Sequence, residues 1–340
     1  MKAALAALLL LSGAAARADT ILFVGNSFTY GHGSPVMIYR PETVTDLNGE
    51  GIGGVPALFK SFTVEAGLDY QVALETHPGA PFAWHVEHKL DVVTARPWDH
   101  VVLQGYSMLD PQNPGDPTNH AAGAAALAQA LRGKNPQVDV RVMATWARAD
   151  QVYQASGHWH GKTIELMTAD LRAGADKAAA TDPAIKGVLP VGDAWIRAIH
   201  DGVADADPYD GIDAGKVDLW TYDNYHASTY GYYLEALVVF GGITGRDPRS
   251  LGATECSGFE LGFSMDQVKA LEKTASDQLT AAGLLRHGPG TPDMPRTCTG
   301  TVAECSQELE RDLAVQDSIP RDTIITFSSP ASPQRCGKPS

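Results

Sequence analysis

The sequence predicts a three-layer α/β domain built on a parallel sheet. Short β-branched runs alternate with helix-length amphipathic segments through the middle of the chain, and glycine and polar residues follow directly on the ends of those runs. At 340 residues, 44% hydrophobic and 19% charged, the chain has ordinary globular composition, enough for one large core with an appendage. That composition excludes a disordered, collagenous or coiled-coil chain. Lys and Arg number 26 against 40 Asp and Glu, a formal net charge of −14, which argues against nucleic acid or an anionic membrane surface as partner. No apolar run reaches the roughly 18 residues that a bilayer span needs, so no integral membrane segment is expected.

At the N-terminus, Met1-Lys2 and the apolar run 3–11 form the charged and hydrophobic regions of a signal peptide, and Ala16-Arg17-Ala18 supplies the small residues that a signal peptidase reads. Cleavage is expected after Ala18, with export to the periplasm or the medium. Loss of Lys2 and Arg17 leaves 24 basic residues against 40 acidic ones, a net charge of −16.

Strands are expected over 20–24, 70–74, 99–103, 138–144 and 187–190, with helices between them over 55–66, 82–94, 119–132 and 164–180. The last carries Ile164, Met167, Leu171 and Ala175 on one stripe. A helix over 229–240 follows. Another, over 265–282, opens with a Ser264/Gln267 capping box and stops at Gly283. From Arg286 onward the chain is rich in Pro and Gly and lacks helical periodicity. Its four cysteines, Cys256, Cys298, Cys305 and Cys336, fit no zinc module and are expected to form disulfides, in any of three pairings. The expected organisation is a signal peptide over 1–18, one α/β domain over 19–285 and a Cys-bearing extension over 286–340.

Open parallel sheets bind ligands beyond the carboxyl ends of their strands. The residues found there are Gly25-Asn26-Ser27, His77-Pro78-Gly79, Gln104-Gly105-Tyr106-Ser107, Thr145-Trp146 and Val191-Gly192-Asp193. Gly25 lets the backbone turn sharply and leaves the Ser27 hydroxyl at the sheet edge. A serine becomes a nucleophile when a base removes its proton, and histidine has the pKa for that task near neutrality. Among eleven histidines, His226 in Tyr222-Asp223-Asn224-Tyr225-His226 is best placed, because Asp223 three residues upstream can fix its tautomer. The Ser27 amide, the Gly79 amide and the Gln104 side-chain amide are candidate donors to the oxyanion of a tetrahedral intermediate. Thr29 stands where a Gly-x-Ser-x-Gly elbow would have its second glycine, so this is not that motif.

Four blocks in order carry a family resemblance: Ile21-Leu22-Phe23-Val24-Gly25-Asn26-Ser27-Phe28-Thr29, the glycine loop at Gly79, a polar amide at Gln104 and Asp223-x-x-His226. They span roughly residues 20 to 245 and resemble the SGNH/GDSL hydrolases. The resemblance implies a flavodoxin-like three-layer α/β/α sandwich and serine ester hydrolysis without a cofactor. In it Ser27 is the nucleophile, His226 the base and Asp223 its orienter, and Ser27 N–H, Gly79 N–H and the Gln104 amide are the oxyanion donors. Two positions depart from the family pattern. Gly-Asn-Ser replaces Gly-Asp-Ser, and Leu103-Gln104-Gly105-Tyr106-Ser107 replaces a Gly-x-Asn-Asp block. Together with Thr145-Trp146 and Pro190-Val191-Gly192-Asp193-Ala194-Trp195, the pattern looks like a less characterised branch in which Gln is usual.

The loops over 32–54 and 106–119 are expected to shape a pocket, with Asn26, Tyr106, Trp146 and Tyr225 as substrate-contacting residues. No metal is expected, since His158-Trp159-His160 and His85/His88 lack a third ligand. The expected substrate is a small-molecule or glycan ester with a short acyl group. The competing readings are a lipid or lysophospholipid esterase, an acyltransferase, and a catalytically silent carbohydrate-binding protein.

Overall fold

A computed structural model describes residues 17–285. Most of the expected signal peptide, the C-terminal extension, Cys298, Cys305 and Cys336 lie outside the described residues, and with them the question of disulfide pairing.

Six parallel strands form the sheet: β1 (Asp19–Gly25), β2 (Thr45–Asp46), β3 (Tyr70–Thr76), β4 (His100–Leu103), β5 (Asp139–Ala144) and β6 (Ile185–Pro190), in the order β2-β3-β1-β4-β5-β6. Setting aside the two-residue β2, which the sequence did not announce, this is the flavodoxin-like order. The chain leaves β1 for β3 on one side and returns to β4 on the other, so the crevice beyond the ends of β1 and β4 is the topological switch point.

The strands are apolar on both faces because helices cover both. Ile21, Phe23, Val72 and Leu74 join one buried cluster with the helices Gly54–Glu65, Val191–His200, Thr229–Thr244 and Met265–Ala281. Leu22, Val24, Val101, Leu103 and Val140 join another with Phe82–His88 and Thr118–Lys134.

Three elements differ from expectation. The helix expected over 82–94 is two, Phe82–His88 and Leu90–Val93, broken at Lys89, whose φ of −133° and ψ of 8° leave the helical region. Val191–His200, to which the sequence assigns no element, is a helix that β6 enters without an intervening turn. Its stripe Val191, Ala194, Trp195 and Ala198 is buried. The helix expected to stop at residue 240 runs to Thr244, where Gly245 caps it at φ 74°. Gly241 and Gly242 do not break it. A Cβ there would lie 2.3 Å from Leu279 and 2.4 Å from Leu189, so both glycines serve close packing.

Candidate active site

β1 delivers Ser27 to the switch point through a turn that is hydrogen-bonded on every side. A Cβ at Gly25 would stand 2.3 Å from Thr29 Oγ1 and 2.8 Å from Gln104 Oε1, so only glycine fits beneath the serine. Asn26 caps the short helix Ser27–Tyr30. Its Oδ1 accepts from Phe28 N–H at 3.1 Å, and its Nδ2 donates to the carbonyls of Ala80 at 3.1 Å and Gly105 at 3.0 Å. That amide therefore fastens the turns after β3 and β4 to the serine turn.

The base arrives from the loop that precedes Thr229–Thr244. Asp223 Oδ1 accepts from the backbone N–H groups of Tyr225 at 3.0 Å and His226 at 2.9 Å, while Asn224 takes φ 54°, a left-handed conformation that Asn tolerates. The loop so folded puts Asp223 Oδ2 2.6 Å from His226 Nδ1 and His226 Nε2 2.9 Å from Ser27 Oγ. A carboxylate at Nδ1 keeps the proton there and turns the Nε2 lone pair to the serine hydroxyl.

The electrostatics suit a base. Burial drives the His226 pKa below the ordinary 6.5, aided by the nearby charges of His32 and Arg148 and opposed by Asp223. Burial also pushes against ionised Asp223, but hydrogen bonds from the imidazole and two backbone amides outweigh it and hold the carboxyl below 3.8. Both shifts favour an ionised Asp223 beside a neutral imidazole.

The other expected site residues divide. Gly79 is exposed, at φ 66°, in the turn whose Ala80 carbonyl Asn26 holds. The N–H groups of Ser27 and Gly79 have no hydrogen-bond partner among the described residues, which leaves both available to a ligand. Tyr106 and Tyr225 are half-buried. The Tyr225 ring lies 4.0 Å from the imidazole.

Three expectations need correction. Trp146 is fully buried, stacked between Phe28 at 4.0 Å and Trp195 at 4.6 Å, with its indole N–H on the Tyr225 carbonyl. It is a pillar beneath the site, not a substrate wall. Asn26 is 3% exposed and its amide groups all bind protein, so it orders the turn and does not face substrate. Gln104 is fully buried. Its Oε1 accepts from Asn26 N–H at 2.9 Å and Thr29 Oγ1 at 3.1 Å, and its Nε2 donates to the Gly105 carbonyl, so the amide braces the serine turn from below.

Sequence reasoning missed His32 and Arg148. The His32 ring sits 4.4 Å from that of His226. Arg148 lies over the Tyr225 ring at 3.5 Å. Their signals were present: His32 lies between two glycines just past Ser27, and Arg148 follows the Thr145-Trp146 block by two residues. Of the histidines weighed for metal, His85 is fully buried with its Nδ1 2.5 Å from Glu75 Oε2, whereas His88 is exposed. Cavities of about 380 Å³ at the start of β3 and 390 Å³ beside Val191–His200 include no residue of the Ser27, His226 and Asp223 set.

No family model and no curated protein matches this chain. Among solved structures it is similar to a DUF4886 family protein from Bacteroides uniformis, with a TM-score of 0.52 and 16% identity over 79% of this chain and 97% of that one. It is also similar to a candidate SGNH hydrolase from Slackia heliotrinireducens (TM-score 0.45, 20% identity, 67% and 100% covered). A third is a lipase/acylhydrolase from Enterococcus faecalis (TM-score 0.44, 14% identity, 67% and 96% covered). Sheet order, layering and the first of these likenesses give the chain a flavodoxin-like α/β/α fold, with Ser27, His226 and Asp223 in line at its switch point.

Proposed function

We propose that this chain is an exported serine carboxylester hydrolase that removes short acyl groups from a carbohydrate or other small ester. The observation that carries the reading is the unbroken line Ser27 Oγ, His226 Nε2, His226 Nδ1, Asp223 Oδ2, at 2.9 Å and 2.6 Å. Ser27 Oγ attacks the ester carbonyl as its proton passes to Nε2, and Asp223 stabilises the imidazolium. The tetrahedral oxyanion takes hydrogen bonds from the Ser27 and Gly79 amides. On collapse the alcohol leaves with the proton from Nε2, and an acyl group remains on Ser27. Water then enters by the same route and releases the acid.

A short acyl group on a polar ester is favoured by what lies against the base, the imidazole of His32 and the phenol of Tyr225. The decisive experiment is covalent labelling of the folded protein with a fluorophosphonate probe. The wild type is expected to label and Ser27→Ala not to; an unlabelled, folded wild type would overturn the reading. p-Nitrophenyl esters of increasing acyl length, followed by acetylated sugars, then set the acyl preference. Highest kcat/KM on long-chain esters would turn the assignment to a lipid esterase.

A further inference from the structure

Building on the reading of Ser27, His226 and Asp223 as a catalytic triad, we propose that Arg148 is a positioning residue for the general base, clamping the Tyr225 ring against His226 from the segment that follows β5. Arg148 is only 8% exposed, unusual for a cation. Its charge is met by a two-pronged pair with Asp150, Nε to Oδ1 at 3.0 Å and Nη2 to Oδ2 at 2.7 Å. That pairing occupies the guanidinium edge and leaves its flat face for Tyr225, whose ring centroid is 3.5 Å from the guanidinium carbon. The Tyr225 ring also meets the imidazole, 4.0 Å away and tilted by 34°, with Phe28 at 5.5 Å beside it. Guanidinium, phenol and imidazole thus form one column.

Backbone ties run parallel to it. Asp150 N–H donates to the Asn224 carbonyl at 3.1 Å, Trp146 Nε1 to the Tyr225 carbonyl at 3.2 Å, and Trp220 Nε1 to the Ala147 carbonyl at 3.0 Å. The segment 146–150 therefore holds the base loop at several points. Among these contacts of segment 146–150, the one Arg148 makes with Tyr225 is between side chains and lies next to the imidazole.

The charged and titratable groups facing the imidazole are Asp223 on its own loop, His32 from the turn after Ser27–Tyr30, Tyr225 against its face, and the Arg148–Asp150 pair beyond Tyr225. Asp223 favours the imidazolium, whereas His32 and Arg148 disfavour it. Arg148 therefore has a charge effect besides its mechanical one, and the two can be separated by substitution.

The test measures the His226 imidazole titration by NMR, which needs no substrate, alongside pH profiles of ester hydrolysis. Arg148→Met, which retains length and loses charge and planarity, is expected to raise the His226 pKa by about half a pH unit or more. It should also lower kcat by about tenfold or more, with KM changed by less than about threefold. Arg148→Lys keeps the charge but not the flat face, so the pKa should stay near wild type while kcat recovers only in part. A folded Arg148→Met protein with wild-type His226 pKa and kcat overturns the proposal. Should that variant fail to fold, Asp150→Asn leaves the guanidinium uncompensated and should lower the His226 pKa; no change there also overturns it. Absence of ester turnover and of fluorophosphonate labelling in the wild type would sink the catalytic reading instead, leaving the NMR comparison intact.

Discussion

Ser27 Oγ and His226 Nε2 lie 2.9 Å apart across 199 residues of sequence. Neither residue is held by its own segment alone. Ser27 rests on Gln104 and Asn26, and His226 on Asp223 from its own loop and on a segment that follows β5. The predictions below probe those supports one at a time.

Asp223→Asn should retain the fold and lose up to about 10⁴-fold in kcat, because an amide at Nδ1 no longer selects the tautomer that leaves Nε2 free. Hydrolysis of p-nitrophenyl acetate, with circular dichroism as the folding control, measures it. A loss under about threefold would reduce the site to a Ser–His dyad.

The pH dependence of kcat/KM has a definite sign. Only neutral His226 accepts the serine proton, and its pKa lies below 6.5, so activity should hold to pH values below that point and fall on further acidification. His32 disfavours the imidazolium, hence His32→Asn should move the acidic limb upward. An acidic limb that stays in place would remove His32 from the electrostatics of the base.

Gln104→Glu separates two roles. A carboxylate keeps an acceptor for Asn26 N–H and Thr29 Oγ1, whereas an essential oxyanion donor would be lost at a cost of about 10²- to 10³-fold in kcat. Since the amide braces the turn, a fall of less than about tenfold is expected. Gln104→Leu, which leaves the Asn26 N–H unpartnered, should instead destabilise by about 1–3 kcal/mol in urea unfolding.

Trp146→Ala empties the centre of the Phe28, Trp146 and Trp195 stack and frees the Tyr225 carbonyl. A stability loss of about 3–5 kcal/mol is expected, together with reduced kcat from a loosened base loop. Substrate KM should hardly change, as the indole is sealed from solvent; a KM effect alone would restore it to the binding wall.

Far from the triad, three carboxyls predict alkaline sensitivity. Burial first, and repulsion from Glu255 next, push Glu272 up to about 8 and Glu65 to about 7, while burial raises Glu255 as well. The ordinary value is near 4.5, so between there and about 8 the folded state binds more protons than the unfolded one. Stability from this source is therefore present at low pH and lost as pH rises through that window. Glu272→Gln should narrow the gap in Tm between about pH 5.5 and 8.5 that is expected of the wild type. An unaltered gap would show that these carboxyls do not set it.

Much of the fold is legible in the sequence. The strand runs, their parallel arrangement and the polar residues after each strand end follow from periodicity and turn chemistry, which are local properties. So does the Asp223-x-x-His226 pair, three residues apart on one loop. Less visible were β2, two residues long and defined only by its partner β3, and Val191–His200, whose first residues stood out only as a block at a strand end. The roles of Asn26, Gln104 and Trp146 were also undetermined. A buried amide and an exposed one have the same letter, and only packing decides which groups remain for a ligand.

The sequence by itself determined the alternating α/β layers and placed a serine, a glycine turn and an Asp-His pair at strand ends. Tertiary structure alone decided that Ser27 and His226 meet, that Gln104 and Trp146 support where they were expected to touch substrate, and that Arg148 reaches the base through Tyr225. The physical reason is range. Helix and strand periodicity act over a few residues, whereas hydrogen-bond direction, burial and ring stacking depend on which segments the sheet order brings side by side.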